Sequence, residues 1–111
     1  MYLEQLQNSS PLNIFLTNFE HVTEYSSKDD LTLGLLRFDK INHKHAFLFK
    51  FEKERMLDFH TIGMKFPINI RFYDKDGKLV ASYYNVKSGE ENITSKKPAM
   101  FAVEYSTKIG D

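Results

Sequence analysis

The sequence contains no cysteine among its 111 residues. This absence excludes disulfide bonds, thiolate nucleophiles, thiolate zinc sites and iron–sulfur clusters, and it leaves a packed core as the expected source of stability. A chain of this length can bury about two-thirds of the surface that it exposes when unfolded. We therefore predict one domain over residues 1–111 and a reducing compartment, the cytoplasm, as its location.

The sequence also lacks an excess of charge of either sign, because 15 basic residues offset 15 acidic ones. Without a long-range electrostatic field to attract polyanions, we expect no nucleic-acid partner and no binding to an anionic membrane surface. Arginine is scarce beside lysine, which argues against a dedicated phosphate site. No segment approaches the roughly 20 consecutive apolar residues of a membrane helix, and no signal peptide is recognisable, so we expect neither membrane insertion nor export.

Aromatic residues, in contrast, are abundant, with 10 phenylalanines and 6 tyrosines. The clearest strand pattern is HAFLFKFEK, in which Phe47, Phe49 and Phe51 occupy alternate positions. Alternate side chains of a strand share one face, and each buried ring contributes strongly to hydrophobic stabilisation. The three rings therefore predict the core face of a sheet.

A β-hairpin is predicted over residues 68–85, where INIRFYD and KLVASYYN flank an Asp76-Gly77 turn. Asp-Gly tolerates the positive φ angles that tight hairpin turns require, and both flanking segments alternate polar with apolar residues. Asn69 and Arg71 fall on the same face of the first strand. We therefore expect that face to be exposed to solvent.

Weaker patterns account for most of the remaining chain. Residues 1–11 have the polar composition of an N-terminal extension, and the apolar spacing over 12–25 suggests one or two strands. A serine followed three residues later by an acid predicts a helix over 28–36, since this arrangement resembles a capping box. Alternation in MFAVEYS predicts a last strand over 100–106.

Several segments resemble the domain of unknown function 192 family, also called uncharacterised protein family 0127. The run HTIGMKFPINIRFYDKDGKLV, from His60 to Val80, is similar to the family's HTxxMxFPI and DxDGxxV elements. Gly34–Arg37 resembles its GLMxR element, and Ala46–Phe51 is similar to the strand that follows. Tyr84–Val86 and Pro98–Ala99 stand where the family has its ENV and PA segments. The order and spacing of the matches make the resemblance specific although each motif alone is weak.

The resemblance covers residues 19–111, leaving 1–11 as an extension outside it. It implies an α+β fold, mostly antiparallel β, in the form of a compact partial barrel with one short helix packed on the sheet. It implies no activity, because the family is uncharacterised. This chain departs from the family pattern at Asn69, where an acid is usual, and at Gly63, where an aromatic residue is usual. Asn69 can neither act as a general base nor supply an anionic metal ligand.

The segment before the hairpin holds the candidate site. A histidine beside apolar walls and one amide is a common combination in pockets that bind small ligands. The candidate residues for binding a ligand or partner are His60, Met64, Phe66, Pro67 and Asn69. An alternative is a purely structural turn, in which Gly63 permits an unusual dihedral angle, Pro67 sets the entry to the strand and His60 bonds the backbone. We assign no catalytic residue, because the sequence pairs His60 with no acid or nucleophile.

A second constellation could bind a metal. His43 and His45 fall on one face of a strand, and Asp39 or Asp58 could complete a zinc or nickel site with His60. An exposed loop before a strand explains the two histidines equally well, so we assign no metal-ligating residue and no cofactor.

Two functional hypotheses follow. The first is a non-catalytic binding or assembly module that presents the edge from His60 to Asn69 to a protein partner or to a second copy of the chain. Such modules occur as accessory or structural parts of larger assemblies, including viral particles. The second is a small ligand-binding protein or a metal-assisted enzyme that uses His60 as acid, base or ligand.

Overall fold

The computed structural model describes residues 6–108, and over this range the chain forms two short helices and seven strands. In chain order the elements are α1 (Pro11–Leu16), β1 (His21–Tyr25), α2 (Lys28–Leu33) continued by a 3-10 turn (Gly34–Arg37), β2 (His45–Arg55), β3 (Asp58–Phe59), β4 (Ile68–Tyr73), β5 (Leu79–Val86), β6 (Ile93–Thr94) and β7 (Ala99–Ser106). None of the helices in this range has the length and apolar character that crossing a bilayer requires. Part of the predicted N-terminal extension, residues 1–5, lies outside the described residues.

Five strands form the main sheet in the order β1-β2-β7-β4-β5, and β3 pairs with β6 in a separate ribbon. All pairings are antiparallel except that of β1 with β2, which is parallel and is connected across α2. In the described part of the chain β1 and β5 are the two edges, so the sheet is open and does not close into a barrel. The predicted α+β class with mostly antiparallel strands is confirmed.

The helix predicted over 28–36 is also confirmed, although its last turn is tighter than expected. The Ser27 side chain caps the helix by accepting the backbone N–H of Asp30. Gly34 then adopts a φ of 51°, and a Cβ built there would lie 3.5 Å from the ring of Phe49. Glycine is therefore favoured at this position by its positive φ, since a Cβ at this distance from the ring would make an ordinary contact.

The strand prediction over 12–25 is right for β1 and wrong for the segment before it, which forms α1. Ser10 caps α1 by accepting the backbone N–H of Asn13, and Pro11 occupies the first turn, where its missing N–H costs no hydrogen bond. Leu12 and Leu16, four residues apart, are both completely buried. Helical spacing places them on one face, but Ile14 between them also fits the alternation of a strand, which obscured the helical period.

The sheet is buried on both faces, which gives two cores. On the first face Phe47 and Phe49 are buried beneath α2 and its 3-10 turn, as predicted, while Phe51 is partly exposed. On the second face Leu48 and Val103 are completely buried, and α1 packs against them. The sequence predicted only the first core.

The hairpin is confirmed, and its turn also holds the N-terminal helix. Gly77 has a φ of 80°, and its N–H donates to the carbonyl oxygen of Asp74 at 2.9 Å. The N–H of Leu12 donates to the carbonyl oxygen of Gly77 at 2.9 Å. The turn and the start of α1 are therefore directly joined.

The expectation of a solvated hairpin face is wrong. Asn69 is buried, and the guanidinium of Arg71 lies over the ring of Phe15, 3.9 Å from its centroid. This geometry is favourable because the cation meets the negative face of the aromatic ring. Phe15 of α1 thus covers a polar strand face that the sequence alone predicts to be exposed to solvent.

The placement of α1 predicts a contrast between two of its apolar residues. Leu16→Ala removes a completely buried side chain, so it should lower the free energy of unfolding by about 2–5 kcal/mol. Ile14→Ala, at a position that is 54% exposed, should change it by less than about 0.5 kcal/mol. Urea denaturation followed by circular dichroism measures both values. Small, equal effects would contradict the role of α1 in the second core.

Candidate functional site

A cavity of about 860 Å³ opens on the first face of the sheet. Its walls come from α2 and the following 3-10 turn, from the second half of β2, and from the segment Met56–His60 that includes β3. Its volume lies within the range of pockets that bind small molecules, about 300–1,000 Å³. The cavity is therefore large enough for a ligand of drug-like size.

Apolar side chains form about half of the cavity wall, and the charged side chains lie at exposed positions around it. The apolar lining consists of Leu31, Leu33, Leu35, Leu36, Phe49, Phe51, Met56, Leu57, Phe59, Met64 and Ile68. The charged and titratable lining residues at exposed positions are Lys28, Glu52, Lys53, Arg55, Asp58 and His60. A ligand in the cavity would thus contact aliphatic and aromatic side chains in its interior and ionic groups near the solvent.

One further titratable group, Glu104, enters this lining from the central strand β7. Its register partners are Phe47 on β2 and Ile70 on β4, both buried in the first core. Directly opposed residues on neighbouring strands share a face, so the carboxyl group is flanked by apolar side chains on both sides. Only 8% of Glu104 is exposed.

Burial raises the pKa of Glu104 from its ordinary value of 4.5 to about 8, because transfer of the carboxylate into an apolar environment disfavours its charged form. Within residues 6–108 no side-chain hydrogen bond or ion pair involves this carboxyl group. At neutral pH Glu104 is therefore mostly protonated and can donate a hydrogen bond into the cavity.

The segment from His60 to Met64 is held in place by Thr61. Its backbone N–H donates to the carbonyl oxygen of Glu90 at 2.9 Å, and its hydroxyl donates to that of Lys87 at 2.6 Å. The carbonyl oxygen of Thr61 accepts the N–H of Met64, which closes a turn. Gly63 in this turn has a φ of 87°. These hydrogen bonds show that the segment from His60 to Met64 is a turn anchored to the loop after β5.

Two of the predicted site residues, His60 and Met64, line the cavity together with Glu104. Met64 is buried, whereas His60 is exposed, and its Nδ1 accepts the backbone N–H of Ile62 at 3.1 Å. An accepting Nδ1 leaves the proton of the neutral ring on Nε2. His60 is thus both bonded to the backbone and part of the lining.

The other three predicted residues do not line this cavity. Phe66 packs partly buried against the first core, and Pro67 is exposed just before β4. Asn69 lies on the opposite face of β4 from Ile68, and its Oδ1 accepts the backbone N–H of Asn85 at 2.8 Å. The structure therefore gives Asn69 a bond between neighbouring strands, at an irregularity in the β4–β5 pairing.

Of the histidines considered for a metal site, His45 is the first residue of β2. His45 lies opposite His21, stacks on Phe47 and shares a hydrogen bond of 2.6 Å with the hydroxyl of Thr23. Burial, and then the neighbouring His21, lower the pKa of His45. Within residues 6–108 no three His, Asp or Glu side chains are grouped as metal ligands.

Glu104 is the site residue that sequence reasoning missed, although a signal was present. The strand MFAVEYS contains a single charged residue among apolar ones. An acid flanked by buried positions on a central strand requires either a partner or a function. Identifying the strand as central was not feasible from the sequence, because strand order depends on contacts between distant segments.

The sequence and the fold of this chain are similar to those of known proteins. The family model DUF192, described as "Uncharacterized ACR", matches residues 19–109. A solved structure from Sinorhizobium meliloti, described as "a putative transcription regulator", is 21% identical with a TM-score of 0.71, covering 77% of this chain and 67% of that one. A protein of unknown function from Novosphingobium aromaticivorans is 15% identical with a TM-score of 0.73, covering 78% of this chain and 63% of that one. No curated protein matches the sequence. At these identities the structural likeness shows the fold alone.

The raised pKa of Glu104 predicts how stability changes with pH. The unfolded chain loses this proton near pH 4.5 and the folded chain near pH 8, so stability should fall between these values and level off above. The limiting slope is about 1.4 kcal/mol per pH unit. Glu104→Gln keeps the shape of the neutral acid and should remove this contribution.

Urea denaturation of the wild-type protein and of Glu104→Gln at several pH values between these limits measures the difference. The exposed Glu91 provides the matched control, since Glu91→Gln should leave the slope of the wild-type protein unchanged. Identical slopes for Glu104→Gln and the wild-type protein would show that Glu104 ionises normally.

Proposed function

The chain belongs to the DUF192 family of uncharacterised proteins, and on that premise we propose that it binds a small, mainly apolar molecule in the cavity lined by Glu104, His60 and Met64. The observation that carries this proposal is the unpartnered carboxyl group of Glu104 in an apolar wall. Burying such a group costs stability, and a ligand that supplies its missing hydrogen-bond partner recovers part of that cost.

The composition of the cavity supports binding by burial of apolar surface. A fully buried leucine-sized group gains about 1.5–3 kcal/mol, so a ligand with several such groups gains enough to bind without a dense set of polar contacts. The few polar groups then fix its orientation, as in most small-molecule sites. Glu104 and His60 are suited to this role, because one approaches from the central strand and the other from the exposed end of β3.

We keep this proposal to binding rather than catalysis. Acid–base chemistry requires a second group positioned against the reacting atoms. In the described part of the chain, Nδ1 of His60 already accepts a backbone N–H. The expectation of an assembled particle, viral or otherwise, stays a prediction.

The proposal predicts that small apolar molecules bind at the cavity. A fragment series followed by protein-detected nuclear magnetic resonance should shift signals of Met64 and Leu35, which line it. His60→Ala should weaken the best fragment roughly five-fold, the equivalent of one hydrogen bond of about 1 kcal/mol. His43→Ala, exposed and outside the lining, should leave its affinity unchanged. Shifts confined to the face covered by α1 would contradict the proposal.

A second candidate, a protein-binding module, is favoured by two exposed apolar side chains at the cavity. Leu33 and Met56 both belong to the lining, and 45% and 54% of their surfaces remain accessible. Exposed apolar groups beside a recess are typical of surfaces that contact another protein. In this candidate a second copy of the chain covers the cavity with its own Leu33 and Met56, in a symmetric contact.

This second candidate predicts self-association that depends on Met56. Sedimentation velocity over a range of protein concentrations should show dimers in the wild-type protein, and Met56→Asp should abolish them, because the contact would then bury an unpaired charge. Ile14→Asp is the matched control and should leave the dimers intact. Ile14 is also 54% exposed, but it lies in α1 on the other side of the sheet. A monomer at all concentrations would reject the symmetric contact.

A further inference from the structure

We propose that the ligand of this cavity is an organic monocation, a primary or secondary alkylamine, whose ammonium group pairs with the carboxylate of Glu104. This inference rests on the proposed binding function and specifies its ligand chemistry. Three features support it: the carboxyl group has no hydrogen-bond or ionic partner among the described residues, aromatic rings line the same cavity, and the existing cations lie at exposed positions.

The carboxyl group of Glu104 lacks a cation in the described part of the chain. The ion pairs within residues 6–108 join Arg37 to Asp30, Lys44 to Glu20 and Lys65 to Asp39. Buried carboxylates in proteins are normally paired or strongly hydrogen-bonded. An ammonium group from a ligand supplies both the charge and up to three donors.

The aromatic part of the lining suits the same group. Phe49, Phe51 and Phe59 all line the cavity, and Phe59 lies within 6.1 Å of Phe49 and 6.0 Å of Phe51 between ring centroids. The face of an aromatic ring carries partial negative charge and attracts alkylammonium ions. The guanidinium of Arg55 already lies over the ring of Phe51 at 5.5 Å, so one of these rings contacts a cation in this structure.

The charged groups around the cavity favour a ligand with one positive charge over a ligand with two. The titratable groups that line it besides Glu104 are Lys28 from α2, Glu52, Lys53 and Arg55 from β2, and Asp58 and His60 from the β3 segment. Three of these are cations and two are carboxylates, all at exposed positions. A second ammonium group reaching the opening would meet a small excess of positive charge, so a monoamine should bind better than a diamine of equal length.

The number of protons released on binding also distinguishes an amine from a neutral ligand. Near pH 6.5 the buried carboxyl group holds its proton, since its pKa is about 8. An alkylamine is protonated up to about pH 10 and arrives as the ammonium ion. Formation of the ion pair therefore releases the proton of Glu104 to the buffer, and no covalent bond changes. A neutral amide or alcohol accepts a hydrogen bond from the protonated acid and releases no proton.

Isothermal titration calorimetry tests this inference with hexylamine, hexanamide and 1,6-diaminohexane. Titrations in two buffers of different ionisation enthalpy, both at about pH 6.5, give the number of protons released. We expect hexylamine to bind most tightly and to release close to one proton. Glu104→Gln should weaken hexylamine on the order of tenfold or more and abolish the proton release, while hexanamide binding should change little.

The controls distinguish this inference from the proposed function. Glu91→Gln, at an exposed position, should bind hexylamine as the wild-type protein does. Binding of hexanamide at the cavity without binding of hexylamine, or hexylamine binding that survives Glu104→Gln, would overturn the ammonium inference and leave the binding function standing. Failure of all three compounds and of the fragment series would overturn both. Thermal melting of each variant establishes that it is folded during the titrations.

Discussion

Strand β7 lies between β2 and β4 in the middle of the sheet, and nearly all of its residues are buried. Its backbone groups are satisfied by neighbouring strands, but its side chains point alternately to two faces, and both faces need an apolar cover. On one face α2 and its 3-10 turn provide the cover, and on the other α1 provides it. The layered arrangement of this small chain follows from that requirement.

Glu104 is the single charged residue on this strand, and the candidate site is built around it. Its neighbours Phe47 and Ile70 are apolar, so the cost of a charge there is high. A protein selected for stability alone would gain by replacing the acid with an apolar side chain. A buried acid on a central strand is typical of a functional site, where stability is lost in exchange for function.

The sequence predicted the elements whose signals are local. Alternation around Phe47 and Phe49 gave β2, and the Asp76-Gly77 turn gave the hairpin, because turn chemistry and side-chain period act over a few residues. The helix α1 and the burial of Asn69 were missed, since both depend on which distant segment covers a face of the sheet. For the site, the residue run gave His60 and Met64, whereas Glu104 required the strand order. Local patterns therefore located two lining residues of the cavity but not the acid that lines it with them.

Helix α1 has a consequence for comparisons across the family. It ends before residue 19, where the family match begins, yet its Leu12 and Leu16 complete the second core. A relative that possessed only the matched segment would leave the surface around Leu48 and Val103 in water. Such a relative must cover this surface with unrelated residues or with a neighbouring subunit. One side of the molecule therefore depends on residues outside the family match, whereas the cavity on the other side is lined only by residues within it.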